Sequence, residues 1–133
     1  MRKRAAISSL ISAFCVIIEA IIIWQVSMEI FEELREMTNT IVRNFAPDKI
    51  ILFGSRARGL VNADSDVDFL VVMEYGTSKR DAQLAIKKKL RQFAIPQDVL
   101  VISQKELDKY QNLRGLIYGI AVREGKILYE RAS

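Results

Sequence analysis

The chain has 133 residues, half of them hydrophobic and 27% charged, which fits a single folded domain and excludes a disordered tail or a fibrous repeat. Its formal net charge of +4 is too small to require a nucleic-acid partner. Histidine is absent and Cys15 is the single cysteine, which excludes Ser-His triads, His-ligated metals, an internal disulfide framework and Cys-rich zinc sites. Any chemistry must therefore use carboxylates, hydroxyls, Lys or Arg, and any metal should be a hard cation that prefers oxygen.

The first 27 residues differ in composition from the rest. Three basic residues, 2–4, precede an apolar stretch over 5–26 whose one charge is Glu19. This length suits a membrane helix or a signal peptide, but Glu19 would cost about 2.5–3.5 kcal/mol at mid-span, and no small-residue cleavage site is evident. Basic residues before the stretch and acidic ones after it would also put the remaining chain outside the membrane. We therefore interpret 1–27 as a misassigned or dispensable extension of a domain over 28–133. The alternatives are a helix that packs on the domain or on a partner, and a true anchor.

From Met28 onward the pattern alternates between helices and strands. The predicted elements are a helix over 28–45, a strand over 49–53, a polar turn region over 54–65, a strand over 67–73, a helix over 78–93, a strand over 98–102, a helix that begins at the capping box Ser103–Glu106, a short helix over 116–123 and a strand over 126–130. No repeat or linker interrupts this order. It predicts one compact α/β domain.

Two carboxylates open the second predicted strand. Asp66 and Asp68 share one face of that strand, because side chains alternate along it, and they lie about 6.6 Å apart. Two like charges at the end of a buried strand repel each other unless a cation binds between them. Mg²⁺ takes oxygen ligands and leaves positions free for substrate phosphates. The pair therefore indicates a metal site, with two solvated residues at a strand entrance as the alternative.

A glycine and a serine follow the first predicted strand directly. Gly54 would let the backbone approach a phosphate closely, and the amides after it would point donors at that phosphate. Ser55 adds a hydroxyl donor, and Arg56 and Arg58 add permanent positive charge. By itself, a Gly-Ser pair after a strand is equally typical of a simple turn. The two arginines are equally typical of a solvated loop.

The two motifs together are more specific than either alone. Gly54-Ser55, ten intervening residues and then Asp66-Val67-Asp68 resemble the pattern of the polymerase-beta-like nucleotidyltransferase superfamily. The longer string ILFGSRARG…NADSDVDFLVV is similar to the minimal nucleotidyltransferases of bacteria and archaea, over about residues 28–130. The resemblance implies an α/β (α+β) fold with a small mixed sheet of about four strands flanked by helices. It supplies no role for residues 1–27.

The resemblance also implies a role for each site residue. Asp66 and Asp68 would ligate two Mg²⁺ ions, and Asp98, at the start of a later strand, would be the third carboxylate. Gly54 and Ser55 would hold the triphosphate of ATP, with Arg56 and Arg58 as helpers. One metal would activate an acceptor hydroxyl and the other would stabilise the leaving pyrophosphate, while Asp98 would also receive the hydroxyl proton.

The acceptor is not written in the sequence, and 106 residues leave no room for a second domain that would hold it. By resemblance we expect a cytoplasmic antitoxin that transfers AMP to a hydroxyl of a small helical HEPN-type toxin. The alternatives are a non-catalytic antitoxin that neutralises its partner by contact, and an enzyme acting on a small molecule or RNA end. The basic residues over 87–91 are spaced as the solvated back of a helix, so they do not indicate a nucleic-acid partner. Glu19 and the charge asymmetry around residues 5–26 argue against a membrane partner.

Overall fold

The computed structural model describes residues 2–54 and 66–132, with side chains from Ser12 onward. The chain divides into two compact units, Met1–Leu34 and Arg35–Ser133. The first helix, α1, runs over Arg2–Phe45. No glycine or proline occurs within it, so nothing in the sequence stops the helix at Met28. The predicted helix over 28–45 is therefore the C-terminal part of a longer one.

The first unit is the apolar N-terminal part of α1. Over residues 12–26 the side chains are exposed on every side of the helix, among them Phe14, Ile17, Ile22 and Trp24. Within the described part of the chain, the segment Ser12–Phe45 is long and apolar enough to cross a membrane, judged by length and composition alone. None of its apolar window is buried, and a signal sequence near an N-terminus would have the same properties.

The second unit is built on a four-stranded mixed sheet, as the sequence predicts. The strands are β1 (Lys49–Phe53), β2 (Val67–Val72), β3 (Gln97–Ile102) and β4 (Lys126–Glu130), in the order β3-β2-β1-β4. β1 pairs antiparallel with both β2 and β4, whereas β2 and β3 are parallel. The parallel pair requires a crossover, which α2 (Lys79–Lys89) and a short 3₁₀ turn (Leu90–Gln92) provide.

Helices cover the sheet and complete the core. α3 (Gln104–Tyr110) and α4 (Ile117–Glu124) pack on one face through a buried cluster. Its members are Ile51, Phe53, Leu70, Val72, Ile102, Leu107 and Ala121. The alternate residues of β2, such as Phe69 and Val71, point to the other face and are also fully buried. Met37 and Ile41 of α1 and Ile86 of α2 are fully buried as well. A sheet buried on both faces explains the continuous apolar runs of its strands.

Two local signals place the elements. α1 ends where Ala46 takes a left-handed backbone with φ of 45°, just before Pro47. The N-cap half of the predicted capping box forms at α3, because the Ser103 hydroxyl accepts a hydrogen bond from the Glu106 amide at 3.2 Å.

Strand direction then brings four chain segments to one edge of the sheet. The end of β1 and the starts of β2, β3 and β4 meet there. We call this the site edge. The ends of β2, β3 and β4 form the opposite edge.

Candidate active site

Asp68 is the central carboxylate of the site edge. It is the second residue of β2 and is half-buried, while Asp66 lies exposed just before the strand. Asp98 is the register partner of Asp68 on the parallel strand β3. Neighbouring strands are about 4.8 Å apart, and residues in register point to the same face. The fold thus brings all three predicted carboxylates to one edge.

Negative charge accumulates at this edge. The pKa of Asp68 is raised above its ordinary value by burial first, then by the charges of Asp98 and Asp66. A divalent cation would relieve both effects, because it favours the ionised form of every carboxylate near it. The donor chemistry of the three side chains, all carboxylate oxygen, fits Mg²⁺.

The three carboxylates do not converge in the arrangement that the structure describes. Across residues 12–54 and 66–132, no three acidic or cysteine side chains lie close enough together to hold a metal ion. Asp98 explains part of this, because its Oδ1 contacts Lys87 Nζ at 3.0 Å and accepts the Val99 amide at 3.1 Å. Asp98 would therefore have to turn away from Lys87 to join Asp68 on a cation.

The absence of a side chain at Gly54 leaves room for the Asp68 carboxylate. The backbone of Gly54 has φ of +83°, a region that residues with a side chain rarely adopt. A Cβ atom at this position would lie 2.3 Å from Asp68 Oδ2. That this glycine lets the backbone approach a phosphate closely stays a prediction. In the structure, the space beside its Cα is taken by the Asp68 carboxylate. The predicted phosphate-binding residues Ser55, Arg56 and Arg58 lie outside the described residues.

Lys87 is the site-edge residue that the sequence analysis missed. We predicted it to be part of the solvated back of a helix, as Lys88 and Lys89 are. The structure has α2 packed against β3, which brings Lys87 to Asp98. No spacing in the sequence links positions 87 and 98, because their contact depends on how the helix docks on the strand.

A second polar cluster lies at the opposite edge. The Tyr75 hydroxyl donates to Glu106 Oε1, and Lys79 Nζ contacts Glu106 Oε2 at 2.6 Å. The ammonium also lies over the rings of Tyr75 and Tyr118, at 5.5 and 5.8 Å from their centroids. The bonds from Lys79 and then Tyr75 lower the pKa of Glu106 to about 2. The cluster joins the end of β2, the start of α2 and the start of α3.

This cluster is remote from the site edge. β2 alone separates Asp68 from Val72 by about 13 Å, at about 3.3 Å per residue, and Tyr75 lies beyond that end. A cavity of about 430 Å³ also lies at the opposite edge. Its charged lining residues are paired with one another, Lys49 with Glu130 at 3.5 Å and Arg131 with Asp48 at 3.3 Å. Neither feature adds a group to the carboxylate site.

Known proteins resemble this chain in sequence and in fold. A family described as the nucleotidyltransferase domain matches residues 27–126. Protein adenylyltransferase MntA of Aphanizomenon flos-aquae is 34% identical over 104 residues, which cover 74% of this chain and 67% of that protein. A proposed protein adenylyltransferase of Methanocaldococcus jannaschii is 34% identical over 74 residues, which cover 56% of this chain and 73% of that protein.

Solved structures agree on the fold. A proposed nucleotidyltransferase of Sulfolobus solfataricus superposes with a TM-score of 0.56 at 18% identity, covering 80% of this chain and 86% of that one. A structure described as a toxin-antitoxin with AMP-PNP superposes with a TM-score of 0.51 at 24% identity, covering 73% of each chain. These two likenesses concern the fold alone. The match to the family extends over more than half of the sequence, and the chain therefore belongs to the nucleotidyltransferase domain family.

Proposed function

We propose that this nucleotidyltransferase moves AMP from ATP to a hydroxyl group of a partner protein. The observation that carries the proposal is the carboxylate edge, where Asp68 meets Asp66 and Asp98, and where burial first and then their charges raise the pKa of Asp68. Two relatives that are named as protein adenylyltransferases support the choice of reaction.

The three carboxylates have two tasks in this proposal, metal binding and proton transfer. Asp66 and Asp68 would hold Mg²⁺, and Gly54 leaves the space in which the Asp68 carboxylate lies. When bound, the metal would neutralise triphosphate charge and make the acceptor hydroxyl more acidic. Asp98 is exposed, with 61% of its side chain accessible. It would be the third metal ligand, and it would also take the proton that the acceptor hydroxyl loses.

The donor would be held by the segment that follows Gly54. We propose that Ser55, Arg56 and Arg58 bind the triphosphate, because a hydroxyl and two guanidinium groups suit phosphate oxygens. This grip contacts phosphates and not the base, so the choice of ATP rests on the adenylyltransferase relatives. Because ATP is an intracellular donor, we propose that the reaction takes place in the cytoplasm.

The acceptor would come from another chain. The described residues of the second unit form the sheet and the helices that pack on it. A site at the edge of a sheet suits a hydroxyl that a partner protein presents on a loop. We propose a small helical toxin of the HEPN type, with this chain as its antitoxin. The similarity in fold to a chain of a toxin-antitoxin structure is consistent with this pairing.

Intact mass spectrometry tests the proposal. The full chain is incubated with Mg²⁺, each of the four nucleoside triphosphates and the protein encoded beside it. We expect ATP, and none of the other three nucleoside triphosphates, to add the mass of AMP to the neighbouring protein. The double variant Asp66→Asn, Asp68→Asn should transfer nothing, and the control Asp108→Asn, which makes the same change on α3, should transfer normally. Transfer to RNA or to a small alcohol, with no protein adduct, would refute the proposal.

Neutralisation by contact is a second candidate, and one observation favours it. α4 and the segments beside it expose apolar side chains, namely Leu113, Leu116, Ile117, Ile120 and Ile127. Exposed apolar patches often mark protein interfaces. The double asparagine variant separates the two candidates, because a contact antitoxin would still neutralise its toxin without transferring AMP.

A further inference from the structure

The ion pair between Lys87 and Asp98 bears on how the active site takes up metal. We propose that Lys87 is a positioning residue that competes with a divalent cation for Asp98, so that a bound cation must displace it. This inference rests on the proposed function, because it takes Asp98 as the third metal ligand. Lys87 is not among the predicted site residues, yet it would control whether Asp98 is available to a metal ion.

Both partners lie on packed elements and meet at one oxygen. Lys87 is in the last turn of α2, which packs on β3, and Asp98 is the second residue of β3. Asp98 Oδ1 receives Lys87 Nζ at 3.0 Å and the Val99 amide at 3.1 Å. The Lys87 ammonium on α2 and the Val99 amide on β3 together hold this oxygen in place.

A cation and the ammonium cannot share that oxygen favourably. Mg²⁺ binds carboxylate oxygen at about 2.1 Å, so a metal on Asp98 Oδ1 would lie within a few ångströms of Lys87 Nζ. At such separations the two like charges repel each other, even in a partly solvated site. Either the ammonium leaves or Asp98 turns to Asp68, its partner in register. Both routes break the ion pair.

Helix geometry singles out Lys87 among its neighbours. Successive residues of an α-helix are turned by about 100°, so only one of three consecutive lysines can face β3. Lys87 is half-buried, whereas Lys88 and Lys89 are exposed. Among the ion pairs within the described residues, Asp98 is held by Lys87. Lys88 is therefore a matched control that has the same charge one position away.

The expected effect is modest, because both side chains are partly exposed, at 42% and 61%. Exposed ion pairs of this kind change an equilibrium by about two- to five-fold. Lys87→Met keeps the length of the side chain and removes its charge. We expect it to bind a divalent cation about two- to five-fold more tightly than the unchanged chain. Lys88→Met should bind as the unchanged chain does, and Lys87→Arg, which keeps the ion pair, should also resemble it.

The test measures metal binding without nucleotide or acceptor. The full chain, held in mild detergent because of its apolar helix, is titrated with Mn²⁺ while free Mn²⁺ is followed by electron paramagnetic resonance. Thermal unfolding confirms that each variant is folded, and Lys87→Gln serves if Lys87→Met is not. We also expect the difference between the Lys87→Met and Lys88→Met variants to narrow as NaCl rises, since salt screens exposed pairs.

Three results would overturn the inference. They are equal tightening by Lys87→Met and Lys88→Met, no tightening by Lys87→Met, and no Mn²⁺ binding by any variant. The outcome is separable from that of the proposed function. If Lys87→Met tightens Mn²⁺ binding but no protein receives AMP, the proposed reaction fails and the competition stands. If AMP is transferred and the variants bind Mn²⁺ equally, the competition fails and the reaction stands.

Discussion

Replacing Gly54 by alanine should damage the active site more than the fold. The new Cβ would lie 2.3 Å from Asp68 Oδ2, whereas ordinary contacts begin at 3.4 Å, so the carboxylate must move by about 1 Å. A displacement of that size in a catalytic group costs about 100-fold in rate. The positive φ adds a backbone cost of about 1–2 kcal/mol. We therefore expect AMP transfer to fall about 100-fold and the free energy of unfolding to fall by about 1–2 kcal/mol.

Gly76→Ala separates the two effects. Gly76 also has a positive φ, of +70°, but no atom lies within 4 Å of the position of its Cβ. It should lose similar stability in urea unfolding and keep full AMP transfer and Mn²⁺ affinity. If Gly54→Ala transfers AMP as well as Gly76→Ala does, the contact with Asp68 has no catalytic importance and our account of Gly54 is wrong.

Three further predictions concern stability. The double variant Asp66→Asn, Asp68→Asn should be at least as stable as the unchanged chain at pH 7, because ionised Asp68 opposes folding. The unchanged chain should lose stability as pH rises from 3.8, the ordinary pKa of an aspartate, through the raised pKa of Asp68. Urea unfolding at a series of pH values should show this loss in the unchanged chain and not in the double variant. Glu106→Gln should lower the free energy of unfolding by about 1–2 kcal/mol at pH 7. This is less than the pKa shift alone would give, because 26% of the Glu106 side chain is exposed. Its difference from the unchanged chain should vanish as pH falls from 4.5 to about 2, and a constant difference would contradict this. Residues 28–133 alone should be soluble, folded and as active as the full chain by circular dichroism and AMP transfer, and aggregation would give residues 1–27 a role.

The fold was predictable because its signals are local. The strands read as short apolar runs, and Ser103 with Glu106 marks the start of α3 from four residues. Helix α1 was predicted too short, because we treated the change in composition at Met28 as a boundary. Helices end at breakers or caps and not at changes in polarity, and the first such signal after Arg2 is at Ala46-Pro47. The change in composition therefore indicates where the environment of the helix changes. It does not indicate where the backbone hydrogen bonds of the helix end.

The site was predictable in its residue types and less so in its contacts. Strand alternation places Asp66 and Asp68 together, and parallel pairing brings Asp98 beside Asp68. The contact between Lys87 and Asp98 depends on the docking of α2 on β3. The cluster of Tyr75, Lys79 and Glu106 likewise joins residues that are as many as 31 positions apart. Such contacts follow from tertiary packing, which no short spacing encodes.

The two central carboxylates are held by opposite means, and they should therefore fail in different ways. Asp68 is half-buried, and its position depends on the missing side chain of Gly54. A small steric change there displaces the carboxylate directly, and no salt concentration restores it. Asp98 is exposed and is held by the charge of Lys87, so its orientation should respond to ionic strength and to metal. Steric changes at Gly54 should thus lower activity under all conditions, whereas a change in the charge of Lys87 should alter how much metal the enzyme needs.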